Sequence, residues 1–287
     1  MKKIPLKIAQ TYFNINSENE FCVGKEIEKY ICNEEKENAV NFKISIVDEF
    51  HALRCKFVMT VDERMSVFKS EDDLYEYRIF FNLITKEPCA LYKEVGENSA
   101  EIVLLKRYFE KIEINSDLLS YFSMEKYLLK DGAIVLHSSF IKHNNEAILF
   151  TAPSGTGKST QADLWEKYSD AEIINGDRSI LMVESDEIYA YGLPFCGTSG
   201  IEKNTCAKVK AIIYLQQSPT NCANKLYEKD IIKKIFSETT KNLWNEEYID
   251  MAGNIIKNLA QKVVMYEYSC TKYKDAVLYL KDKLEVV

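Results

Sequence analysis

The chain has 287 residues, 46% of them hydrophobic, enough to bury one large core or two modest ones. A formal charge of −7 without any basic tract argues against a general nucleic-acid binder, and no apolar run is long enough to span a bilayer. The N-terminal MKKIPLKIAQTYFN has no apolar h-region behind its lysines, so a cytoplasmic protein is expected, with neither nucleic acid nor membrane as partner. Eight cysteines are scattered, with no C-x-x-C pair and no histidine at ligand spacing, and read as reduced, buried thiols. Cys196 stands apart because it falls in a Gly-rich segment, although packing is its expected role.

Residues 1–115 are expected to form a β-rich N-terminal region. FKISIVDEF (42–50), LRCKFVMTV (53–61), LYEYRIFFN (74–82), CALYKEV (89–95) and AEIVLLKRYF (100–109) alternate apolar and polar residues with period two, as strands do, and several are expected to be antiparallel with one face in water. Residues 33–38 and 95–99 read as turns. The aromatic residues here read as core, because no basic residues are interleaved to hold a nucleic-acid backbone.

At Ser116 the pattern changes. SDLLSYFSMEKYLL predicts a helix over 116–129 closed by Asp131-Gly132, and a domain boundary follows near residue 115, with 116–287 as the second domain. AIVLHSSFIKHNNEAILF predicts two strands joined at His143-Asn144-Asn145. TQADLWEKY (160–168) places Ala162, Leu164 and Trp165 at helical spacing. EIINGD (172–177) reads as a strand, SILMVES and EIYAYGL as a hairpin through Asp186, and VKAIIYLQQ (209–217) as a buried strand. Helices over 228–244 and onward through Leu259, a strand VVMYEYSC (263–270) and a last helix from about Lys274 complete an α/β reading.

Between the strand ending at Phe150 and the helix starting near Thr160 lies TAPSGTGKST. Two glycines bracketing four residues before Lys and Ser/Thr is the usual pattern of a loop whose backbone N–H groups cradle a polyphosphate. Ala152 replaces the first glycine, while Gly155 and Gly157 keep the flexible backbone. The nucleotide-binding residues are therefore Ser154, Gly155, Thr156, Gly157, Lys158, Ser159 and Thr160. Lys158, expected to be an exposed loop lysine of little weight for stability, reaches the outer phosphates, and Ser159 ligates Mg²⁺.

Phosphoryl transfer also needs a group for the metal and one for the acceptor. Asp177, at a strand end after Asn175-Gly176, suits either task, or else is a solvated turn residue. VKAIIYLQQ ends in Gln216-Gln217 where a metal-binding acid would stand, so that role falls back on Asp177. His137 lies on the strand before the loop strand and reads either as a group beside the phosphates or as a hydrogen-bonded core histidine. Arg178 either neutralises transition-state charge or covers a surface. PFCGTSGIEKN (194–204) suits a substrate loop or a long hairpin connection.

Four segments, LHSSF, ILFTAPSGTGKSTQADLWEKY, IINGDRS and GLPFCGTSGIEKN…KAIIYLQQ, resemble the P-loop kinases related to HPr kinase/phosphorylase and, more distantly, phosphoenolpyruvate carboxykinase. The resemblance covers roughly residues 130 to 217. The tail VVMYEYSC…DAV is similar to the end of small HPr-kinase-like proteins found beside peptide-modification genes. Residues 1–115 look unlike the regulatory domain of true HPr kinases. The resemblance implies a P-loop kinase fold and ATP- and Mg²⁺-dependent phosphorylation of a serine on a protein or peptide, with a precursor peptide the nearer acceptor class. It also places a histidine upstream of the loop, here His137, in the active site.

HPr kinases carry adjacent aspartates where this chain has Gly176-Asp177, so Asp177 serves base and metal alike, or shares the work with His137 or a residue from elsewhere. The arginine-containing signature that engages HPr is not evident after Gly197. The catalytic set is thus Asp177, His137 and Lys158, the metal set Ser159 and Asp177, and Arg178 a candidate charge stabiliser. A kinase of small hydroxylated molecules and a non-catalytic nucleotide sensor are the alternatives. Residues 1–115 are expected to serve acceptor binding or a homo-oligomer contact.

Overall fold

A computed structural model describes residues 2–34, 36–195 and 197–285 of the chain. They form a mixed α/β structure in two compact units, Met1–Tyr127 and Leu128–Val287. The first unit runs β1 (Lys2–Ile8), β2 (Thr11–Ser17), β3 (Phe21–Val23), α1 (Lys25–Glu28), β4 (Val40–Val47), β5 (Cys55–Asp62), β6 (Met65–Ser70), β7 (Glu76–Phe81), β8 (Pro88–Gly96), β9 (Ser99–Leu105) and β10 (Ile112–Ile114). Eight of these strands make one sheet in the order β1-β2-β4-β9-β8-β7-β6-β5, and β10 pairs with β3. All five alternating runs form strands, and those from β5 to β9 pair antiparallel, while β4 pairs parallel with both β2 and β9. The β1–β2 hairpin lies ahead of those runs and buries Ile4, Leu6 and Ile8 at every second position.

The helix expected over 116–129 is broken. α2 (Ser116–Leu119), capped by the Asn115 side chain accepting from Leu118 N, gives way to a 3₁₀ turn at 120–122. Ser123 then takes a left-handed conformation (φ 54°) before α3 (Met124–Lys130). That break lets Phe122 and Tyr127 both pack edge-on to Phe42 of β4, with ring centroids 4.8 and 5.6 Å away. The segment therefore belongs with the first sheet, and the division falls at 127/128 instead of 115.

The second unit comprises β11 (Ala133–His143), β12 (Glu146–Thr151), α4 (Lys158–Ser169), β13 (Glu172–Asn175), β14 (Arg178–Glu184), β15 (Glu187–Tyr191), β16 (Cys206–Gln217), β17 (Cys222–Lys225), α5 (Glu228–Glu238), α6 (Glu246–Lys262), β18 (Met265–Cys270) and α7 (Lys274–Glu285). β12 pairs antiparallel with β11 and parallel with β16, and β11, β14, β15 and β16 continue antiparallel, so these five strands close on themselves. β18 lies parallel to the C-terminal half of β16. The expected hairpin turns occur at Asn144-Asn145 (φ 51° and 65°) and Ser185-Asp186 (φ 47° and 71°), each with the paired positive φ that two-residue hairpins require.

Why AILF and AIIYL read as continuous apolar runs follows from burial on both faces. Ala147, Leu149 and Ile212 pack with Ile231 and Ile235 of α5 and Ile256 and Leu259 of α6. Ile148, Phe150, Ala211 and Ile213 point the other way, to Ala162 and Trp165 of α4 and Val277 and Leu280 of α7. β12, the parallel strand beside β16, is thus clamped between two helical layers, and its C-terminal end delivers the chain to α4. Among the described residues no helix is long and apolar enough to cross a membrane.

Candidate active site

The loop between β12 and α4 is built from its dihedrals. Gly155 (φ 78°) and Gly157 (φ 111°) take left-handed conformations that side-chain-bearing residues avoid, and a Cβ at either would meet nothing within 4 Å. The glycines therefore serve backbone geometry, and their surroundings are open. Ala152, in place of the usual first glycine, is fully buried in the apolar layer with Phe150, Ala162 and Trp165, so its methyl has a packing role. Gly157 caps α4 without a side chain. The first-turn amides thus have no intrahelical acceptor, and the positive end of the helix dipole faces the loop. Ser154, Gly155, Ser159 and Thr160 are exposed, and Thr156 Oγ1 donates to Pro153 O at 2.8 Å. Gln217, at the end of β16, donates its Nε2 to Gly155 O and Thr156 O at 3.3 Å each, so a neutral amide braces the loop.

Lys158 departs from its expectation. It is buried, 7% exposed, with Nζ donating to Ala152 O at 2.8 Å and Pro153 O at 3.4 Å. Burial holds its pKa below the usual lysine value, against the pull of Glu238 and Asp177. Its stem starts the helix and its amine turns back into the loop, which an exposed lysine would not do.

Asn175, fully buried at the end of β13, organises the opposite wall. Its Nδ2 donates to Leu193 O and Phe195 O at 3.0 and 2.8 Å. Its Oδ1 accepts from Asp177 N and Arg178 N, both at 2.9 Å. Asp177 thus sits in a side-chain-braced turn, and Ser138 N donates to its carbonyl at 3.0 Å. β11 and β14 pair with His137 opposite Arg178, which puts the imidazole at that corner: His137 Nε2 lies 3.8 Å from Asp177 Oδ1. Arg178 Nε reaches Asp177 Oδ2 at 3.3 Å. His137 is one-third exposed, so it is not a core histidine.

Glu238 is the residue sequence reasoning passed over. It ends α5, its side chain is 9% exposed, and its Oε2 lies 3.6 Å from His137 Nδ1. Nothing in the sequence marked it, because the helix was expected to run on to residue 244. It stops at Glu238 because Thr239 bridges to Leu136 and Thr240 N donates to Val135 O at 2.8 Å, ties to β11 that outcompete the next helical turn.

Burial lowers the His137 pKa from 6.5, helped by the Lys158 charge and opposed by Asp177 and Glu238. A depressed folded value means the unfolded chain binds that proton first. The contribution to stability is complete above about 6.5 and is lost as pH falls through the folded value. His137→Gln should accordingly flatten part of the stability loss on acidification below about pH 6.5, measured by urea midpoints; His143, depressed for the same reason, supplies another part. An unchanged pH slope would show that His137 is not buried as placed.

Between β15 and β16, Gly197 comes up against the side chain of Asp177. A Cβ at Gly197 (φ 53°) would come within 2.7 Å of Asp177 Cγ, and one at Gly176 would strike the Ser199 side chain. Gly197→Ala should therefore displace the Asp177 carboxylate, and in the kinase expected from the sequence that lowers turnover about tenfold to a hundredfold with nucleotide affinity retained. Turnover unchanged in that variant would show that the carboxylate's position does not matter. Cys196 lies outside the described residues. Of the other cysteines only Cys89 and Cys270 are buried, while Cys32 and Cys55 are half-buried. Cys22, Cys206 and Cys222 are exposed because they fall on strand positions that face solvent, so the expectation of buried thiols fails for most of them.

No protein-family model matches the chain, and no curated protein is similar to it. Among solved structures, the Hpr(Ser) kinase/phosphatase from Coxiella burnetii is similar to 53% of this chain over 98% of its own, with 13% identity and a TM-score of 0.32. So slight a likeness says nothing about chemistry.

Proposed function

We propose that the protein is an ATP- and Mg²⁺-dependent phosphotransferase that phosphorylates a serine hydroxyl of a peptide or protein. The observation that carries this reading is the open loop of residues 153–157, which enters an uncapped helix with Lys158 buried at its base. A tail of phosphates suits the backbone N–H groups there, and Lys158 suits the outer phosphates. The charges of Glu238 and Asp177 act on Lys158, and His137 lies between those two carboxylates, so this corner suits an acceptor hydroxyl.

Among the described residues no three His, Cys, Asp or Glu side chains converge as a metal-ligand set. One carboxylate and one hydroxyl fit Mg²⁺ that arrives with the phosphates, since that ion commonly takes only one or two protein ligands beside them. Ser159 and Asp177 would hold it, and when bound it neutralises charge on the transferred group. Arg178, tied to Asp177, keeps that carboxylate turned toward the corner.

The serine acceptor and its peptide context rest on the resemblance of the loop and strand motifs to HPr-kinase-like proteins. Calorimetric titration with Mg²⁺-ATP should give saturable heat, and γ-labelled ATP should mark serine-containing peptides. Absence of heat would end the nucleotide reading. Label on small hydroxylated molecules alone would replace the peptide acceptor.

A further inference from the structure

Two carboxylates flank His137, and only one of its nitrogens carries hydrogen in the neutral ring. Among the described residues, the charged groups that act on it are Lys158 at the start of α4, Asp177 and Arg178 at the β13–β14 corner, and Glu238 at the end of α5. The two carboxylates are not equivalent. Glu238 Oε2 is nearer, at 3.6 Å against 3.8 Å for Asp177 Oδ1, and far less exposed, at 9% against 32%. Asp177 is also shared with Arg178. Neither distance is that of a formed hydrogen bond, but attraction to a donor is stronger where water is excluded, which favours Glu238 as the partner of an N–H.

Local rules argue against a carboxylate where Glu238 stands. It is the last residue of α5, whose final turn contains no basic residue, and the negative end of the helix dipole opposes it. Its relief is partial: Ser237 Oγ donates to Glu238 Oε1 at 3.3 Å, and the charge of Lys241 acts on it while that amine is hydrogen-bonded to Phe236 O and Thr239 O at 2.6 and 3.0 Å. An acid kept nine-tenths buried at an unfavourable helix end, facing a histidine and the loop lysine, marks function more often than packing.

Resting on the kinase reading above, we propose that Glu238 is a positioning residue that holds His137 in its Nδ1–H tautomer. Nε2 is then the free lone pair on the Asp177 side, and the acceptor hydroxyl donates its hydrogen bond there. As the hydroxyl oxygen bonds the γ-phosphorus, the bond from that phosphorus to the β–γ bridging oxygen breaks, ADP leaves, and the hydroxyl proton passes to Nε2. The bridge from Thr239 to Leu136 and the Thr240–Val135 hydrogen bond hold the end of α5 against β11 one residue from His137, so the spacing is set by backbone.

The chain has three histidines, so imidazole ¹⁵N spectra of the full-length protein at about pH 8 are assignable with His137→Gln. Wild-type His137 should show a protonated Nδ1 and an unprotonated Nε2. In Glu238→Ala, with Asp177 the remaining carboxylate, the pattern should invert. Glu238→Gln should lower kcat about a hundredfold with KM for ATP changed less than about threefold. A wild-type Nε2–H tautomer, or an unchanged pattern in Glu238→Ala, overturns the proposal even if transfer is confirmed. Conversely, if Mg²⁺-ATP gives no heat, the kinase reading falls while the tautomer spectra still decide whether Glu238 sets His137.

Discussion

Replacing Lys158 with alanine should slow phosphoryl transfer about 10²–10³-fold and lower stability in the same variant. A lysine extended into solvent would give the first effect without the second, because its removal costs a folded protein little. Lys158 is instead buried, its amine bonded to two loop carbonyls, with its charge acting on Glu238 and Asp177. Without it, Ala152 O loses its 2.8 Å donor and the nearly buried Glu238 loses a neighbouring cation. Leaving charged or polar groups unsatisfied in this way costs about 1–3 kcal/mol. Deleting one preorganised positive group from a site where negative charge develops costs about 10²–10³ in rate. Thermal melts and transfer of γ-labelled phosphate read the two effects separately. Turnover within about threefold of wild type would remove Lys158 from the chemistry. An unchanged melting temperature would show that its loop hydrogen bonds contribute nothing net.

The strand, loop and helix around Lys158 were legible in the sequence because they are contiguous: an apolar run, two glycines at forced dihedrals and a helical stripe lie within about twenty residues. The hairpin turns at Asn144-Asn145 and Ser185-Asp186 were legible for the same reason. What escaped was everything set by pairing between distant segments. No local pattern says that β11 meets β14 in a register placing His137 against Asp177, or that β4 runs parallel to β2 and β9. The end of α5 is the sharpest case. Helical spacing continues past Glu238, but tertiary hydrogen bonds to Val135 and Leu136 stop the helix there and so create the site's second carboxylate. The 116–129 helix failed likewise, its break at Ser123 being driven by packing of Phe122 and Tyr127 on Phe42. Lys158 was misjudged because a loop position was equated with exposure, whereas the amine folds under the loop it belongs to.

Asp177→Asn separates a kinase from a nucleotide sensor built on the same loop. Asparagine keeps the shape of the side chain and can still receive Arg178 Nε through its carbonyl oxygen, while the turn is braced by Asn175 from below, so the fold should survive. What disappears is a negative charge at the corner where metal and acceptor would meet. For a kinase, kcat should fall about 10²–10⁴-fold, the range by which a positioned acid or base contributes, with metal-free nucleotide affinity unchanged. For a sensor there is no turnover to lose, and the variant should change only the Mg²⁺-dependent part of nucleotide binding. The two cases part in a single pair of measurements, calorimetric affinity with and without Mg²⁺ and the rate of γ-phosphate release or transfer. Asp177→Asn retaining full rate would mean that the acceptor is served from the His137–Glu238 side alone, because that pair is the other carboxylate-bearing arm of the corner. In that event Glu238→Gln would become the more damaging substitution of the two.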